Sequence, residues 1–586
     1  MGRFFERKES DQEENPKKWR LLAGAGILGL QAIVLLFLFL PGETPFFYQS
    51  LVPLDIHPLF LALIAFIPSL FLLVLMSVSK LRSISIALLS LGLSLILALS
   101  VWRMPPVLAG HSIFFGMSVA VFPLLWALLN AMWLFRLLID SGFFDILRQS
   151  LQRVSPDKRI QTILVGFGLT SLLESMAAFG APIVIITSML MGLGFPPHLA
   201  AAVSLIADSA PSSWGTQGLP ILMLSSVTGL DADRLGMIIG LQTPIIAALL
   251  PIGLVIMVAG RKGLKGVWPV AFLAGLSYGV TGVLCSQVVS VSITGMASGI
   301  VGILVILLSL RFIKPRQTWL FPGEQEKSGN EDSPRRSDVV RAWSPFMVLI
   351  AVMGLANAIG LAKLVTGPGN LTFPWPKLNG AVYSVDPHTG AHAVYPAVFS
   401  QNLLTTSGTL TLIAGWISSP FLRLKPWEAM KSYGRAIRGM LTAGSTIACI
   451  LGIAYLMNYS GMAASIGLAV SQVSARALPP LTVYLGLFGS IVAGSVSGGN
   501  ALFGGASVFA AKRLGLDSHL IAGTLCSGGT LGKPITPQSL VLAEAAVGHP
   551  ETDPAPKLIS LVFGWALVYS LILFLMVLSY SLFLMP

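Results

Sequence analysis

Asp208-Ser-Ala-Pro-Ser-Ser-Trp-Gly-Thr-Gln-Gly218 and Ser527-Gly-Gly-Thr-Leu-Gly-Lys-Pro-Ile-Thr-Pro-Gln-Ser539 are runs of small, polar and ring-constrained residues set inside long apolar segments. Glycine and proline interrupt a helix there and free backbone N–H and C=O groups. At membrane depth such groups are tolerated only where protein or a wet cavity satisfies them. Two more interruptions precede them: Glu174-Ser-Met-Ala-Ala-Phe-Gly-Ala-Pro182 and Gly494-Ser-Val-Ser-Gly-Gly-Asn-Ala-Leu-Phe-Gly504. Laying Phe488-Gly489 on Phe167-Gly168 also brings Leu514-Gly515 onto Leu193-Gly194, His519-Leu520 onto His198-Leu199 and Gln538 onto Gln217, without a gap. Each half runs as a helix, an interrupted hairpin, a broken helix and a closing helix, so that residues 112–260 correspond to 433–581.

Composition says what surrounds these breaks. The chain has 586 residues, of which 54% are hydrophobic and 11% charged; a soluble domain carries about a quarter charged residues. Its exterior therefore faces lipid. Runs at 21–40, 58–78, 82–101, 236–259, 292–312 and 558–584 approach or exceed the ~20 residues that span a bilayer. Further spans are read at 112–137, 199–227, 268–290, 344–365, 398–416, 439–459 and 519–545. Segments 160–195 and 481–514 are read as re-entrant hairpins that return to their own side. The expectation is an all-α polytopic membrane protein with about thirteen transmembrane helices, two re-entrant hairpins and two inverted repeats.

Loop charge orients the chain. Residues 1–20 carry six Lys/Arg, and loops 140–159, 311–341 and 421–438 carry four, seven and five, whereas 41–57 and 284–293 carry none. Lys and Arg concentrate on the cytoplasmic side, so the N-terminus is placed inside and the C-terminus outside, with Lys512 and Arg513 falling on the outer side. An odd number of crossings separates the two units, which makes them inverted. The resulting order is a cytoplasmic tail 1–20 and N-terminal helices 21–111. A first repeat 112–260 follows, with hairpin 160–195 and broken helix 199–227. Linking helices 261–312 and a cytoplasmic linker 313–343 lead to helices 344–432 with an outer loop 366–397. A second repeat 433–586 closes the chain, with hairpin 481–514 and broken helix 519–545. Paired broken segments in inverted repeats point to a transporter site near the bilayer midplane. The net charge of +12 follows from loop topology and calls for no nucleic acid. Cys285, Cys449 and Cys526 lie apart, without metal or disulfide spacing.

An ionisable group inside a span costs a few kcal/mol and marks ion or substrate pathways. Glu174 and Asp208 are accordingly the candidate proton-coupling residues, each with a plainer role beside it: Glu174 bonding hairpin N–H groups, Asp208 capping the helix that follows it. Lys533, aligned with Ser212, is the candidate partner of a substrate carboxylate, or of Glu174 or Asp208 when no substrate is bound. Asn500, Ser495, Ser497, Thr530, Thr536 and Gln538 offer amide and hydroxyl partners, with helix packing or backbone satisfaction the plainer role of each, and Gly180, in the first hairpin's break, completes the candidate substrate-binding set. His198 and His519 sit at hairpin–helix junctions. No metal site or cofactor is expected.

Leu173-Glu-Ser-Met-Ala-Ala-Phe-Gly-Ala-Pro182, Gly192-Leu-Gly-Phe195, Gly218-Leu-Pro-Ile-Leu222, Asn500-Ala-Leu-Phe503 and Gly532-Lys-Pro-Ile-Thr-Pro-Gln-Ser539 together resemble the L-lactate permease family across residues 58–586. The resemblance implies import of L-lactate, and often D-lactate or glycolate, with protons across a bacterial inner membrane. It also implies membership of the wider ion-transporter superfamily. The sequence departs from the family's pattern at Val496, where an acid follows Gly-Ser, at Asp208 in place of Asn and at Ser175 in place of Gly. The partners implied are a small monocarboxylate, protons and the lipid bilayer, with oligomeric state open. Two other readings stay open. One is a Na⁺-coupled carboxylate carrier; the other is a membrane-embedded enzyme, for which no HExxH or Asp-rich cluster is present.

Overall fold

The computed structural model of the protein describes residues 45–54, 56–78, 83–176, 180–313, 315, 317–322, 335–359, 361, 369–387, 389–547 and 555–583. The expected tail 1–20 and first span 21–40 lie outside these residues, as do residues 323–334 of linker 313–343. In a lipid interior a helix meets all its own backbone groups, and the described chain is accordingly helical. In order it forms α1 (Pro58–Val78), α2 (Ser83–Ser100), and α3 (Pro106–Val119), which passes through a π segment into α4 (Trp126–Asp140). Next come α5 (Phe143–Gln152), α6 (Lys158–Gln161), a π segment Thr162–Leu169, α7 (Thr170–Glu174), α8 (Ala181–Gly192) and α9 (Pro197–Ala207). Two 3-10 turns, Pro211–Ser213 and Thr216–Gly218, lead into α10 (Leu219–Thr228) and α11 (Ala232–Gly263). The linking helices are α12 (Trp268–Val288), α13 (Val291–Phe312) and α14 (Arg336–Ala358). The second half holds α15 (Ser407–Phe421), α16 (Pro426–Ser460), α17 (Met462–Val470), α18 (Leu478–Ala493), α19 (Val496–Arg513) and α20 (Ser518–Gly532). A 3-10 turn, Lys533–Ile535, leads to α21 (Pro537–Val547) and α22 (Ala555–Phe583).

Nine described helices are long and apolar enough to cross a membrane. The remaining expected spans are 21–40, outside the described residues; 199–227 and 519–545, each divided into shorter helices; and 398–416, which needs correcting. Residues Val398–Asn402 are a β-strand, and the helix starts only at Ser407. Hydropathy alone does not separate a strand from a helix. Here Val398 and Phe399 are followed by Ser400 and Gln401 and pair antiparallel with Asn370–Pro374. The loop 366–397 thus carries strands of its own. With β1 (Phe47–Tyr48), β2 (Asn370–Pro374), β3 (Val382–Val385), β4 (His392–Val394) and β5 (Val398–Asn402) it makes a β1-β3-β4 sheet and a β2-β5 pair at one end of the molecule.

The element order of the first half recurs in the second. The α3–α4 pair matches α16, α5 matches α17, and the arms α6–α7 and α8 match α18 and α19. Further on, α9 matches α20, the turn Pro211–Ser213 matches Lys533–Ile535, α10 matches α21 and α11 matches α22. The ends of each two-armed unit lie together. Lys158 Nζ donates to the Leu193 carbonyl at the base of the first, and Leu478 clusters with Ala510 and Ala511 at the base of the second.

Opposite ends of the molecule are built differently. At one end the basic loops meet: Arg435 pairs with Asp140 at 2.7 Å and Arg423 with Asp338 at 3.4 Å. There Arg159, buried to 6% exposure, grips Asp157 through two nitrogens and donates to the carbonyls of Gly263, Lys265 and Gln317. That clamp pins the base of the first unit to the end of α11, and it works because a planar guanidinium satisfies several acceptors at once. At the other end lie the sheet cap and Arg513, whose Nη1 donates to the Pro387 carbonyl at 3.3 Å.

Helix packing around the breaks depends on absent side chains. A Cβ on Gly528 would stand 2.1 Å from the Val483 carbonyl, and one on Gly486 1.9 Å from that of Leu525. The backbones of α18 and α20 therefore touch, in the small-residue manner of membrane interfaces. Gly528→Ala must push the two helices apart and is expected to cost about 1–3 kcal/mol. Gly564→Ala, with open space at its Cβ position, is the matched control. Thermal melting of the two purified variants checks this; equal melting temperatures would refute the contact.

Candidate functional site

Three helices end at one place. Glu174 is the last residue of α7, Asp208 follows the last turn of α9 as its C-cap, and Lys533 is the C-cap of α20. Each stands at a different break: the first unit's turn, the first broken helix and the second broken helix. Lys533 Nζ lies 2.5 Å from Glu174 Oε1, as a hydrogen bond, and 2.7 Å from Asp208 Oδ2, as an ion pair without hydrogen-bond alignment. The side chains are 13%, 10% and 2% exposed, in the order Lys533, Glu174, Asp208. The expected role of Asp208 as a cap for the following helix is corrected by this placement. Eleven positions separate it from Leu219, where α10 starts, and the 3-10 turns fill that interval.

A helix C-terminus carries partial negative charge, which favours a cation and disfavours an anion. Lys533 is therefore well placed, whereas Glu174 and Asp208 each face the unfavourable end of their own helix. The ammonium offsets both. With all three groups ionised the cluster holds one surplus negative charge, which a proton or another monovalent cation would balance.

Neighbouring residues hold the breaks in shape. Thr216 Oγ1 donates to the Glu174 carbonyl at 3.0 Å, tying the first broken helix to α7. Ser212 Oγ donates to the Asp208 carbonyl. Asn500, in α19, donates its Nδ2 to the Pro220 carbonyl at 3.0 Å, linking the second two-armed unit to the start of α10. Gln217 has φ +54 in the left-handed region, which costs a non-glycine residue about 1–3 kcal/mol. Its Nε2 is anchored 2.5 Å from Thr411 Oγ1 on α15. Gly180, also left-handed at φ +75, opens α8 where a Cβ would strike Leu542 Cδ1 at 2.3 Å, so the start of that helix lies against α21.

The other candidates are placed as follows. Ser495 caps α19, its Oγ accepting from the Gly498 N–H at 3.0 Å. Ser497 lies half-buried in the first turn of α19 and Gln538 half-buried in that of α21. Thr530 donates its hydroxyl to the Ser527 carbonyl and Thr536 donates to Ser539 Oγ, each at 2.8 Å. His519 lies 3.4 Å from Asp517 at the start of α20, far along the helix from Lys533. Sequence reasoning passed over Thr216, whose type gave no signal beyond its place in the break. It also passed over Trp214 and Tyr278, both 1% exposed, whose Nε1 and hydroxyl have no hydrogen-bond partner among the described residues.

Removing Lys533 leaves two buried carboxylates uncompensated, and breaking a buried pair costs about 3–5 kcal/mol. Lys533→Met is expected to melt well below wild type, while Glu174→Gln with Lys533→Met loses less than the two single losses added. A double-mutant cycle by thermal melting measures this, and strict additivity would count against the pairing.

A family model described as L-lactate permease matches residues 61–584. The L-lactate permease of Escherichia coli (strain K12) is 30% identical over 496 residues, covering 83% of this chain and 90% of that protein. Glycolate permease GlcA of the same strain is 32% identical over 505 residues, with 83% and 90% covered. The L-lactate permease of Bacillus subtilis (strain 168) is 29% identical over 529 residues, with 85% and 92% covered. Among solved structures, Neisseria gonorrhoeae MtrF, described as illuminating a class of antimetabolite efflux pumps, overlays with a TM-score of 0.49. It is 12% identical, with 87% of this chain and 96% of that one covered.

Proposed function

The chain belongs to the L-lactate permease family, and from that membership we propose that it is a secondary active transporter importing L-lactate by proton symport, with D-lactate, glycolate and related 2-hydroxy monocarboxylates as further substrates. The observation that carries the reading is the single ammonium shared by two buried carboxylates where three broken segments meet. In the arrangement described, Lys533 is occupied by protein acids. A substrate carboxylate that takes Lys533 releases one of them, and the released acid is left in an apolar setting unless it accepts a proton. Binding of the anion and binding of the proton then favour each other, which is the requirement for symport. A monoanion with one proton moves no net charge.

Glu174 is the acid assigned to the proton and Asp208 the one that keeps Lys533 in place. Asn500, Ser495, Ser497, Thr530, Thr536, Gln538 and Gly180 remain the assigned substrate lining. The two halves are read as inverted repeats whose two-armed units re-enter from opposite sides. Their bases at Lys158–Leu193 and Leu478–Ala510 support this. Family membership supports a bacterial inner-membrane setting, and loop charge supports placing the basic loops and the N-terminus on the cytoplasmic side.

Labelled L-lactate uptake and counterflow in proteoliposomes, with and without an inward proton gradient, test the reading. Wild type is expected to concentrate lactate when the outside is acidic. Glu174→Gln is expected to exchange lactate in counterflow without concentrating it. Gradient-driven accumulation by Glu174→Gln equal to wild type would overturn the proton assignment.

A further inference from the structure

A small cavity is lined by Ala210, Ser213, Gln242, Thr243, Ser527 and Thr530, with Ile246 and Leu573 closing its apolar side and no residue of the Lys533 triad in its wall. It offers about 10 Å³ to the centre of a water-sized sphere, room for one atom-sized occupant and too little for a three-carbon acid. Three of its polar atoms are unspent. Ser213 Oγ, Gln242 Oε1 and Ser527 Oγ are buried and have no hydrogen-bond partner among the described residues, in residues 0%, 6% and 2% exposed.

The orientation of these atoms is determined by their neighbours. Thr524 gives its hydroxyl hydrogen to the Leu520 carbonyl and so accepts from Gln242 Nε2 at 2.8 Å. The amide of Gln242 is thereby fixed, and the atom left over is its carbonyl oxygen, which can only accept. Thr530 likewise gives its hydrogen to the Ser527 carbonyl, leaving lone pairs alone on its oxygen. Hydroxyls of Ser213 and Ser527 can rotate to present oxygen as well. The lining contains no cationic side chain.

Backbone polarity points the same way. Ser527 and Thr530 lie in the last turns of α20, and Ala210 and Ser213 follow directly on the end of α9. Two helix C-termini, each partially negative, thus border the cavity. The nearby triad adds one surplus negative charge when its three groups are ionised. A cluster of neutral oxygens at two negative helix ends suits a hard monovalent cation better than an anion or an apolar group.

We propose that this cavity is a binding site for one monovalent cation of Na⁺ size, held by Gln242 Oε1 and the hydroxyl oxygens of Ser213, Thr243, Ser527 and Thr530. The site uses none of the three triad side chains, and it takes Thr530 out of the substrate lining and assigns its oxygen to the cation.

Purified full-length protein is melted in NaCl and in choline chloride at one pH and one chloride concentration, and ²²Na⁺ binding is measured directly. Wild type is expected to gain a saturable rise in melting temperature and saturable ²²Na⁺ binding. Gln242→Leu removes the fixed acceptor but also the Thr524 bond. The Ser213→Ala, Ser527→Ala double variant, which removes two oxygens with almost no change in volume, therefore decides. Losing hydrogen-bonding oxygens to a charged species costs roughly tenfold or more in affinity, and the Na⁺ response of the double variant is expected to weaken by at least that factor. Identical melting of wild type in Na⁺ and choline without saturable ²²Na⁺ binding, or undiminished Na⁺ affinity in the double variant, would overturn the site and leave an ordered water only.

Discussion

Lys533 sits where three helices stop, and in a low-dielectric interior a charge at such a place has to be compensated on the spot. Glu174 and Asp208 provide that compensation although each stands at the unfavourable end of its own helix. Neither acid would be stable as an anion there without the ammonium, and the ammonium would not be stable without at least one of them. The breaks in α9–α10 and α20–α21 bring these residues to one point. Much of the surrounding structure keeps the interrupted backbone from collapsing or fraying: Thr216 on the Glu174 carbonyl, Asn500 on the Pro220 carbonyl and Gln217 on Thr411.

The breaks and the frame around them are stabilised in different ways. Around Gly486 and Gly528, main chain lies against main chain, so α18 and α20 have little freedom to slide by small amounts. At the basic end the Asp157–Arg159 clamp joins the base of the first unit to α11 and to the linker segment at Gln317. A polar centre is thus suspended between tightly packed glycine faces and a charged, many-bonded base. Closely packed interfaces of this sort tend to change in discrete steps rather than deform gradually.

How legible was this from sequence? Nine of the expected spans were, because lipid demands about twenty apolar residues in a row and few other structures use them. The stretch 398–416 was misread for the same reason: hydropathy registers Val398 and Phe399 but not the strand partner at Asn370–Pro374. Glu174, Asp208 and Lys533 stood out because charge in an apolar run is costly, and the breaks stood out through their glycines and prolines. The direction of Asp208 did not, since a capping residue and a terminating residue look alike until the length of the break is known. Ser213, Gln242 and Thr216 were harder still. A single neutral polar side chain in a long apolar helix is as often spent on its own backbone as on a neighbour, and only the positions of Thr524 and Leu520 reveal that Gln242 has an oxygen to spare.

The cap bears on how the molecule is assembled. β1, which precedes every described helix, pairs parallel with β3 through Phe47–Val382 and Tyr48–Tyr383, and Gln49 bonds the carbonyls of Asn458 and Tyr459 at the end of α16. None of these partners exists until more than half of the chain has left the ribosome. Segments inserted early therefore wait, with one sheet edge and one amide unfilled, for segments made late. Closing a loop of that size is entropically costly only by the logarithm of its length. The cap is in this sense a clasp, fastened after the helices it joins are already in the bilayer.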